Sequence, residues 1–453
     1  MIEVMLAAPQ SGGGKTVMTC ALLRALQRRG LNPCAFKCGP DYIDPMFHRA
    51  ALGVDSHNLD LFLTNPETAR SLYGRYAAGH GAAVTEGVMG FYDGVGGTTA
   101  EASAWHVADT LNLPVLLVLR PKGASLTLAA QVRGLQAFRR PSHLAGVLVN
   151  DCKPMLCRSL APMLERETGL PVLGCLPHLP EAGFESRHLG LYTAQEITDL
   201  TERLDRLAEA LEENVDLPRL LALCTRPDRP AAENAPASAP RTRIAVARDE
   251  AFCFTYAESL DALRDAGAEL AFFSPLHDAA LPENVGGLYL PGGYPELYAA
   301  ALSENKPMLA AVRAAVESGL PTVAECGGFL YLGQTLEDGE GHPWPMAAAL
   351  PGCGVKTPRL TRFGYANLTA EEDNLLFHAG ETVPIHEFHY WDSTENGAAF
   401  AAKKPVTGRS WRCGFASPSL YAAFPHLYLA GQPQMASRFV DAAATFCPWK
   451  GNL

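Results

Sequence analysis

The stretch AAPQSGGGKTVMTCALLRALQRRG, Ala7–Gly30, constrains the fold of this chain more than any other. The apolar run before it, IEVMLAAP, reads as a β-strand, and KTVMTCALLRALQRRG reads as a helix closed by Gly30. Between them, Gly12, Gly13 and Gly14 leave the backbone free to turn its amides toward an anion, and the helix that follows aims its positive N-terminal end at the same point. Gly14-Lys15-Thr16 completes the second half of the phosphate-loop pattern G-x-x-x-x-G-K-[ST], with Pro9 standing where the first glycine belongs. Lys15 is expected on the outer phosphates of ATP and Thr16 on Mg²⁺.

A strand–loop–helix of this kind belongs to a parallel α/β sheet, and the rest of the first half agrees. NPCAFKCG, AAVTEGVMG, PVLLVLR, LAGVLVN and PVLGCLP are short apolar runs with helical segments between most of them. The pattern stops in LCTRPDRPAAENAPASAPRTR, rich in proline, alanine and serine, and restarts with TRIAVARDE, YAESLDALRDAG, AELAFFSP, GGLYLPGGYPE and LPTVAECGGFLYLG. The expected architecture is two doubly wound α/β domains, residues 1–222 and 242–453, joined by a linker over 223–241. No internal repeat is evident.

Composition narrows the function classes. With 453 residues, 48% hydrophobic and 19% charged, the chain has apolar surface for two cores. A net charge of −11 argues against nucleic acid as a partner, since a phosphate backbone needs a basic footprint. No run approaches the roughly 18 apolar residues of a membrane span, and MIEVMLAAPQ lacks the basic region of a signal peptide, so a cytoplasmic location is expected. The twelve cysteines are scattered, and the close pairs Cys34/Cys38 and Cys152/Cys157 lack zinc-site spacing.

Two acidic segments fall at carboxyl ends of expected strands, where open α/β sheets bind ligands. FKCGPDYIDP carries Lys37, Asp41 and Asp44; TEGVMGFYDG carries Glu86 and Asp93. Asp44 and Glu86 are candidates to hold Mg²⁺ with Thr16, and Lys37 to join the phosphate contacts. Asp41 and Asp44 are candidates to orient a substrate carboxylate, and Asp93 to assist the chemical step. Asp41, after Gly-Pro, is equally the residue type that caps a helix.

A second constellation lies in the other half. PTVAECGGFLYLG sets Cys326 at the end of an apolar strand, on a glycine turn, before a helix. That is the layout of a nucleophile elbow, with Ala324 in place of the first small glycine. The helix N-terminus is expected to lower the thiol pKa. LYLPGGYPELY offers the amides of Gly292, Gly293 and Tyr294 as an oxyanion hole, and AAFPHLYLAG offers His426 as base. PIHEFHYWD holds His386, Glu387 and His389 without the spacing of a zinc-protease helix, and it reads as lining the site or an interface.

These residues carry a resemblance that spans essentially the whole chain. APQSGGGKT, KCGPDYIDPMFH, EGVMGFYDG and ESRHLGLYTAQE, the last from Glu185, resemble the amidotransferase-linked corrinoid synthases. The first half is also similar to dethiobiotin synthetase, whose phosphate loop is similarly irregular; that likeness implies that Asn150, ending LAGVLVN, lies near adenine. The second half resembles class I glutamine amidotransferases around Cys326 and His426. Their glutamate two residues after the histidine is replaced by Tyr428, so the resemblance implies a Cys–His dyad. It implies ATP- and glutamine-dependent conversion of carboxylates to amides through acyl phosphates, the carboxylates being the a and c acetates of cobyrinic acid in cobalamin biosynthesis. Small-molecule partners, a corrinoid polycarboxylate and glutamine, follow, and a homodimer is compatible with it. Hydrogenobyrinic acid and nickel sirohydrochlorin stay open as substrates. A partner-binding ATPase of the ParA/MinD kind is the alternative of a different class; it would have no use for Cys326 and His426.

Overall fold

Runs such as Val115–Leu119 bury every residue, which a strand can do only when helices cover both faces of its sheet. The first half of the chain meets that condition. In a computed structural model, which describes residues 1–180, 199–227 and 240–446 with the backbone of 186–187 and 190–191, the chain divides into two units, Met1–Glu233 and Asn234–Leu453. The segment from Glu185 and the middle of the proline-rich stretch fall largely outside the described residues. Among the described residues no helix is long and apolar enough to cross a membrane.

The first unit is a seven-stranded parallel sheet of order β3-β2-β4-β1-β5-β6-β7. The strands are β1 (Ile2–Ala7), β2 (Pro33–Cys38), β3 (Ser56–Leu59), β4 (Ala82–Glu86), β5 (Val115–Leu119), β6 (Leu144–Asn150) and β7 (Val172–Leu176). Helices α1 (Lys15–Arg28), α2 (Ile43–Leu52), α3 (Pro66–Ala77), α4 (Ala104–Leu111), α5 (Leu126–Phe138) and α6 (Pro154–Thr168) form the crossovers. β1 lies between β4 and β5, so the chain leaves it to build one side of the sheet and later the other. That puts the loop after β1 at the switch point, the usual ligand crevice of such sheets.

β3 was not expected: SHNL has no apolar run. It pairs with β2 through Ala35–Cys38 and buries all four residues, its polar side chains spent on local partners such as Asn58 Nδ2 on the carbonyls of Gly39 and Asp41. A two-stranded pair, β8 (Ser186–Arg187) and β9 (Gly190–Leu191), follows. Helices α7 (Leu200–Asn214) and α8 (Leu217–Cys224) close the unit by packing Leu204, Leu207, Leu211, Leu220 and Cys224 onto the core of α1 and β1. α8 therefore takes the first two residues of the stretch read as linker, and Thr225 still bridges to Ile2.

The second unit has a six-stranded sheet of order β11-β10-β12-β13-β23-β22, parallel except for β22. Its strands are β10 (Thr242–Ala247), β11 (Ala268–Phe273), β12 (Gly287–Leu290), β13 (Thr322–Glu325), β22 (Phe415–Ser417) and β23 (Leu420–Ala423). α9 (Ala257–Asp265), α10 (Ala299–Glu304), α11 (Lys306–Glu317), α12 (Gly327–Leu332) and α13 (Pro433–Thr445) accompany it. Two small mixed or antiparallel sheets interrupt this pattern. One joins β14 (Thr335–Glu337), β15 (Pro343–Pro345), β16 (Cys353–Lys356) and β19 (Trp391–Ser393). The other joins β17 (Gly364–Ala370), β18 (Thr382–Glu387), β20 (Phe400–Lys403) and β21 (Ser410–Cys413).

Candidate functional site

In the first unit the loop between β1 and α1 needs glycine for a steric reason. Gly14 has φ 89°, and a Cβ there would lie 1.9 Å from Nδ2 of Asn150. That amide in turn donates to the carbonyl of Gly13 at 3.2 Å, so Asn150 at the end of β6 braces the loop. Lys15 folds back over it, its Nζ donating to the carbonyl of Met89 at 2.6 Å. Burial, and then Lys37, lower the Lys15 ammonium to about 8.

Beneath Lys15, Thr16 and Lys37 meet on one carboxylate. Thr16 Oγ1 donates to Glu86 Oε1 at 2.6 Å and Lys37 Nζ donates to the same oxygen at 2.7 Å. Lys37 also pairs with Asp44. β2 supplies Lys37, β4 Glu86, α1 Thr16 and α2 Asp44, all at the carboxyl edge of the sheet. Burial opposes the charge on Lys37, but Asp44 and Glu86 outweigh it and hold the ammonium well above its usual value. Burial likewise pushes Asp44 up, yet Lys37 wins and the carboxyl lies below the usual range. Glu86 goes the other way, raised by burial despite Lys37. His48 Nε2 stands 4.0 Å from Glu86 Oε2; burial lowers this histidine to about 4, so it is neutral.

Glu86 Oε2 is buried without a hydrogen-bond partner. With the Thr16 hydroxyl, it is a hard oxygen donor of the kind Mg²⁺ takes. Among the described residues there is no cluster of three or more His, Cys, Asp and Glu arranged for a metal ion. A cation here would lean on phosphate oxygens and water for most of its shell, as Mg²⁺ at nucleotide sites does. The donor set fits Mg²⁺ on those terms.

Asp41 and Asp93 sit at the margin. Asp41 Oδ1 accepts the amides of Ile43 at 2.8 Å and Asp44 at 3.2 Å, capping the entry to α2; burial and Asp44 raise its carboxyl to about 6. Asp93 is exposed, and its Oδ2 accepts the amide of Gly90 at 3.0 Å.

In the second unit the turn after β13 holds Cys326 at φ 48° and ψ −101°, a conformation costly for a residue with a Cβ. The surroundings over-determine it: Cys326 N–H donates to Ala423 of β23 at 2.8 Å, and its carbonyl accepts from Leu330 at 3.0 Å. A Cβ on Gly292 would stand 2.6 Å from Cε1 and 3.5 Å from Nε2 of His426, and 3.5 Å from Cβ of Cys326. The Cβ of Cys326 and the imidazole of His426 thus flank one glycine, and only a residue without a side chain fits there.

Two expectations for this turn change. Burial, then Glu296 and Glu387, push the Cys326 thiol above its ordinary value despite the helix that follows. α12 has only six residues, too short a dipole to offset burial and the carboxylates of Glu296, Glu387 and Glu325. Also, the Tyr294 amide is already given to the carbonyl of Ala251 at 2.9 Å. The amide nitrogen of Gly293 lies close to Gly327, the residue after the thiol, 3.2 Å from where a Cβ there would stand.

The segment PIHEFHYWD supplies β18, whose His386 exchanges backbone hydrogen bonds with His426 at 2.9 and 3.4 Å and so fixes its position. Burial lowers the His386 imidazole to about 3, which keeps it neutral. His389 is spent on Trp391 O at 2.6 Å and stacks on Phe424. One buried residue here went unnoticed in the sequence: Glu325, beside Cys326, has Oε2 3.8 Å from Nδ1 of His426. Its signal was a charged residue ending the apolar run TVAE.

The family of CobQ/CobB/MinD/ParA nucleotide binding domains matches residues 4–189, and that of CobB/CobQ-like glutamine amidotransferase domains matches residues 243–433. Proteins named cobyrinate a,c-diamide synthase match along almost the full length. The one from Salmonella typhimurium is 41% identical over 455 residues, covering 97% of each chain. Those from Clostridium acetobutylicum and Caldanaerobacter subterraneus are 38% and 36% identical, covering 95% and 98% of this chain and 98% of each relative.

Proposed function

The chain belongs to the cobyrinate a,c-diamide synthase family, a family of glutamine-dependent amide-forming ligases with an ATP-binding half, and from that premise we propose how its residues divide the work. The substrate in this reading is cobyrinic acid, amidated at its a and c acetates. The observation that supports the division best is the convergence of Cys326 and His426 on Gly292 in a chain whose other unit carries Lys15 and Thr16 on a glycine loop.

A carboxylate does not react with ammonia at neutral pH, because the anion repels the nucleophile and oxide is a poor leaving group. Phosphorylation by ATP gives an acyl phosphate and ADP; ammonia then attacks the acyl carbon and expels phosphate, leaving an amide. Gly12, Gly13, Gly14 and Lys15 cradle the triphosphate, Asn150 braces the loop toward the base, and Lys37 neutralises the transferring phosphoryl group. Thr16, Glu86 and Asp44 would hold Mg²⁺, which when bound neutralises phosphate charge. Asp41 and Asp44 orient the substrate carboxylate, and Asp93 assists attack by ammonia. In the other half, Cys326 gives its proton to His426 and attacks the side-chain amide of glutamine. Gly292 and Gly293 face the oxyanion, and His426 returns the proton to the departing ammonia. The protein works in the cytoplasm in this reading and is compatible with a homodimer, which light scattering of the purified protein checks.

Mass spectrometry of candidate macrocycles incubated with ATP, Mg²⁺ and glutamine tests the substrate. Cobyrinic acid should gain two amides. Conversion of hydrogenobyrinic acid or nickel sirohydrochlorin in its place would reassign the substrate, and glutamine-independent ATP hydrolysis with no amide formed would favour a partner-binding ATPase.

The lowered pKa of Lys15 gives a second expectation. Below about 8 the ammonium is charged and pairs with phosphate; above it the charge is lost. ATP affinity, measured by calorimetry on the free protein, should be level from about pH 6 to 7.5 and fall by up to tenfold per pH unit beyond 8. A level affinity to pH 9.5 would count against Lys15 as the phosphate contact.

A further inference from the structure

The glutamate that class I amidotransferases place two residues after the histidine is Tyr428 here, a buried ring packed edge-on against Tyr256. It offers no carboxylate. We propose that Glu325, the residue immediately before the nucleophile, takes that place: a positioning residue whose carboxylate orients the His426 imidazole from its Nδ1 side and stabilises the imidazolium. This rests on the reading of Cys326 and His426 as the glutaminase pair.

The geometry divides the imidazole between the two neighbours. The Gly292 contacts place Cε1 and Nε2 of His426 on the side of Cys326, while Glu325 Oε2 lies 3.8 Å from Nδ1. Consecutive residues of a strand ordinarily point to opposite faces. Here Glu325 ends β13 in regular register with Ala423, while the positive φ of Cys326 turns the chain, so that adjacent residues approach one ring from its two ends. This is the division of roles in a nucleophile–histidine–acid relay, reached with the acid and nucleophile side by side in sequence.

Glu325 is held for that purpose. Both it and His426 are 2% exposed. Its Oε1 accepts the amide of Leu427 at 3.1 Å, which ties the carboxylate to the residue after His426, and its Oε2 accepts the Tyr289 hydroxyl at 3.1 Å. Both donors are neutral. A buried carboxylate with only neutral donors gains most from a cation formed within reach, and the proton leaving Cys326 creates one on His426. The other charged groups bearing on the pair are Glu296 and Glu387, which push the thiol up, and His386, which is neutral. At 3.8 Å the contact is longer than a hydrogen bond, and it becomes an ion pair once His426 takes up the proton.

Glu325→Gln tests this, since it keeps the shape and an oxygen for Leu427 while removing the charge. Glutaminase kcat should fall by about 10²-fold, less than the roughly 10⁴-fold of a directly bonded relay acid, with KM for glutamine within about twofold. The acid limb of kcat/KM against pH should move to lower pH, because the imidazolium loses its partner. Glu325→Asp, which keeps the charge, should restore part of both. Tyr289→Phe frees Oε2 from its competing donor and should move the limb the opposite way, to higher pH. It carries the test should Glu325→Gln fail to fold, as read from its melting temperature. A folded Glu325→Gln with unchanged kcat and limb, or an unmoved limb in Tyr289→Phe, overturns the proposal. Cys326→Ser run in parallel separates the two readings: if it retained glutaminase activity, the pair itself would be wrong.

Discussion

Cys326→Ser should reduce glutamine-driven amide synthesis by at least about 10³-fold while synthesis from ammonium salts stays within about threefold of the parent. The size follows from the state of the thiol. Burial and the carboxylates around it push the Cys326 thiol up, so in the proposed reading its reactivity depends on handing a proton to His426 as the bond to carbon forms. A serine hydroxyl is harder to ionise and a weaker nucleophile, and the pocket that raised the thiol would raise it too. Free ammonia bypasses this step and needs only the acyl phosphate made by the other half. Both rates are read on one preparation by counting amides formed, with glutamine or ammonium chloride as sole nitrogen source. Loss of the ammonium-driven rate in a protein with an unchanged melting temperature would refute the division of labour between halves.

The two sites differ in how much of them a reader of the sequence could see. The phosphate loop is local: strand, glycines, lysine and helix are contiguous, so Gly14, Lys15 and Thr16 announce themselves, and Pro9 does not disturb the turn that follows. Glu86 and Lys37 were legible as charged residues at the ends of apolar strands, where a parallel sheet must put its ligands. That Lys37 and Thr16 share one oxygen of Glu86 was not, because the Lys37 contact depends on β2 lying beside β4, a long-range pairing that local pattern does not encode. β3 escaped for a related reason: its burial is earned by hydrogen bonds rather than by apolar side chains.

In the second half the strand, sharp turn and helix around Cys326 were legible, because an apolar run that ends on a cysteine and two glycines marks such a turn. The acid was not, since the rule applied looked two residues beyond the histidine and found Tyr428. Glu325 sits 101 positions away from His426 in the chain and meets it only because β13 and β23 are neighbours in register. The small sheets between Thr335 and Cys413 were also beyond reach. Their strands are short and half-exposed, and alternation in such segments is weak, yet β18 sets the backbone of His426.

The complementary experiment is Lys15→Ala, and its pattern should invert that of the cysteine variant. Lys15 is mostly buried over the glycine loop, its Nζ on the carbonyl of Met89, and in the proposed division of labour it follows charge onto the outer phosphates. Removing one such donor from a site where charge develops costs about 10²–10³ in rate. kcat/KM for ATP should fall by that factor, and synthesis from glutamine and from ammonium salts should fall together, since both draw on the same acyl phosphate. Hydrolysis of glutamine to glutamate, measured without macrocycle, should persist within about threefold. Lys15→Arg should recover little: Lys37, Asp44 and Glu86 pack closely beneath, and a planar guanidinium cannot take the place of a compact ammonium on the carbonyl of Met89. Normal synthesis in Lys15→Ala would remove the loop as the ATP cradle. A fall confined to the glutamine-driven rate would mean that Lys15 governs the supply of nitrogen rather than the activation of the carboxylate.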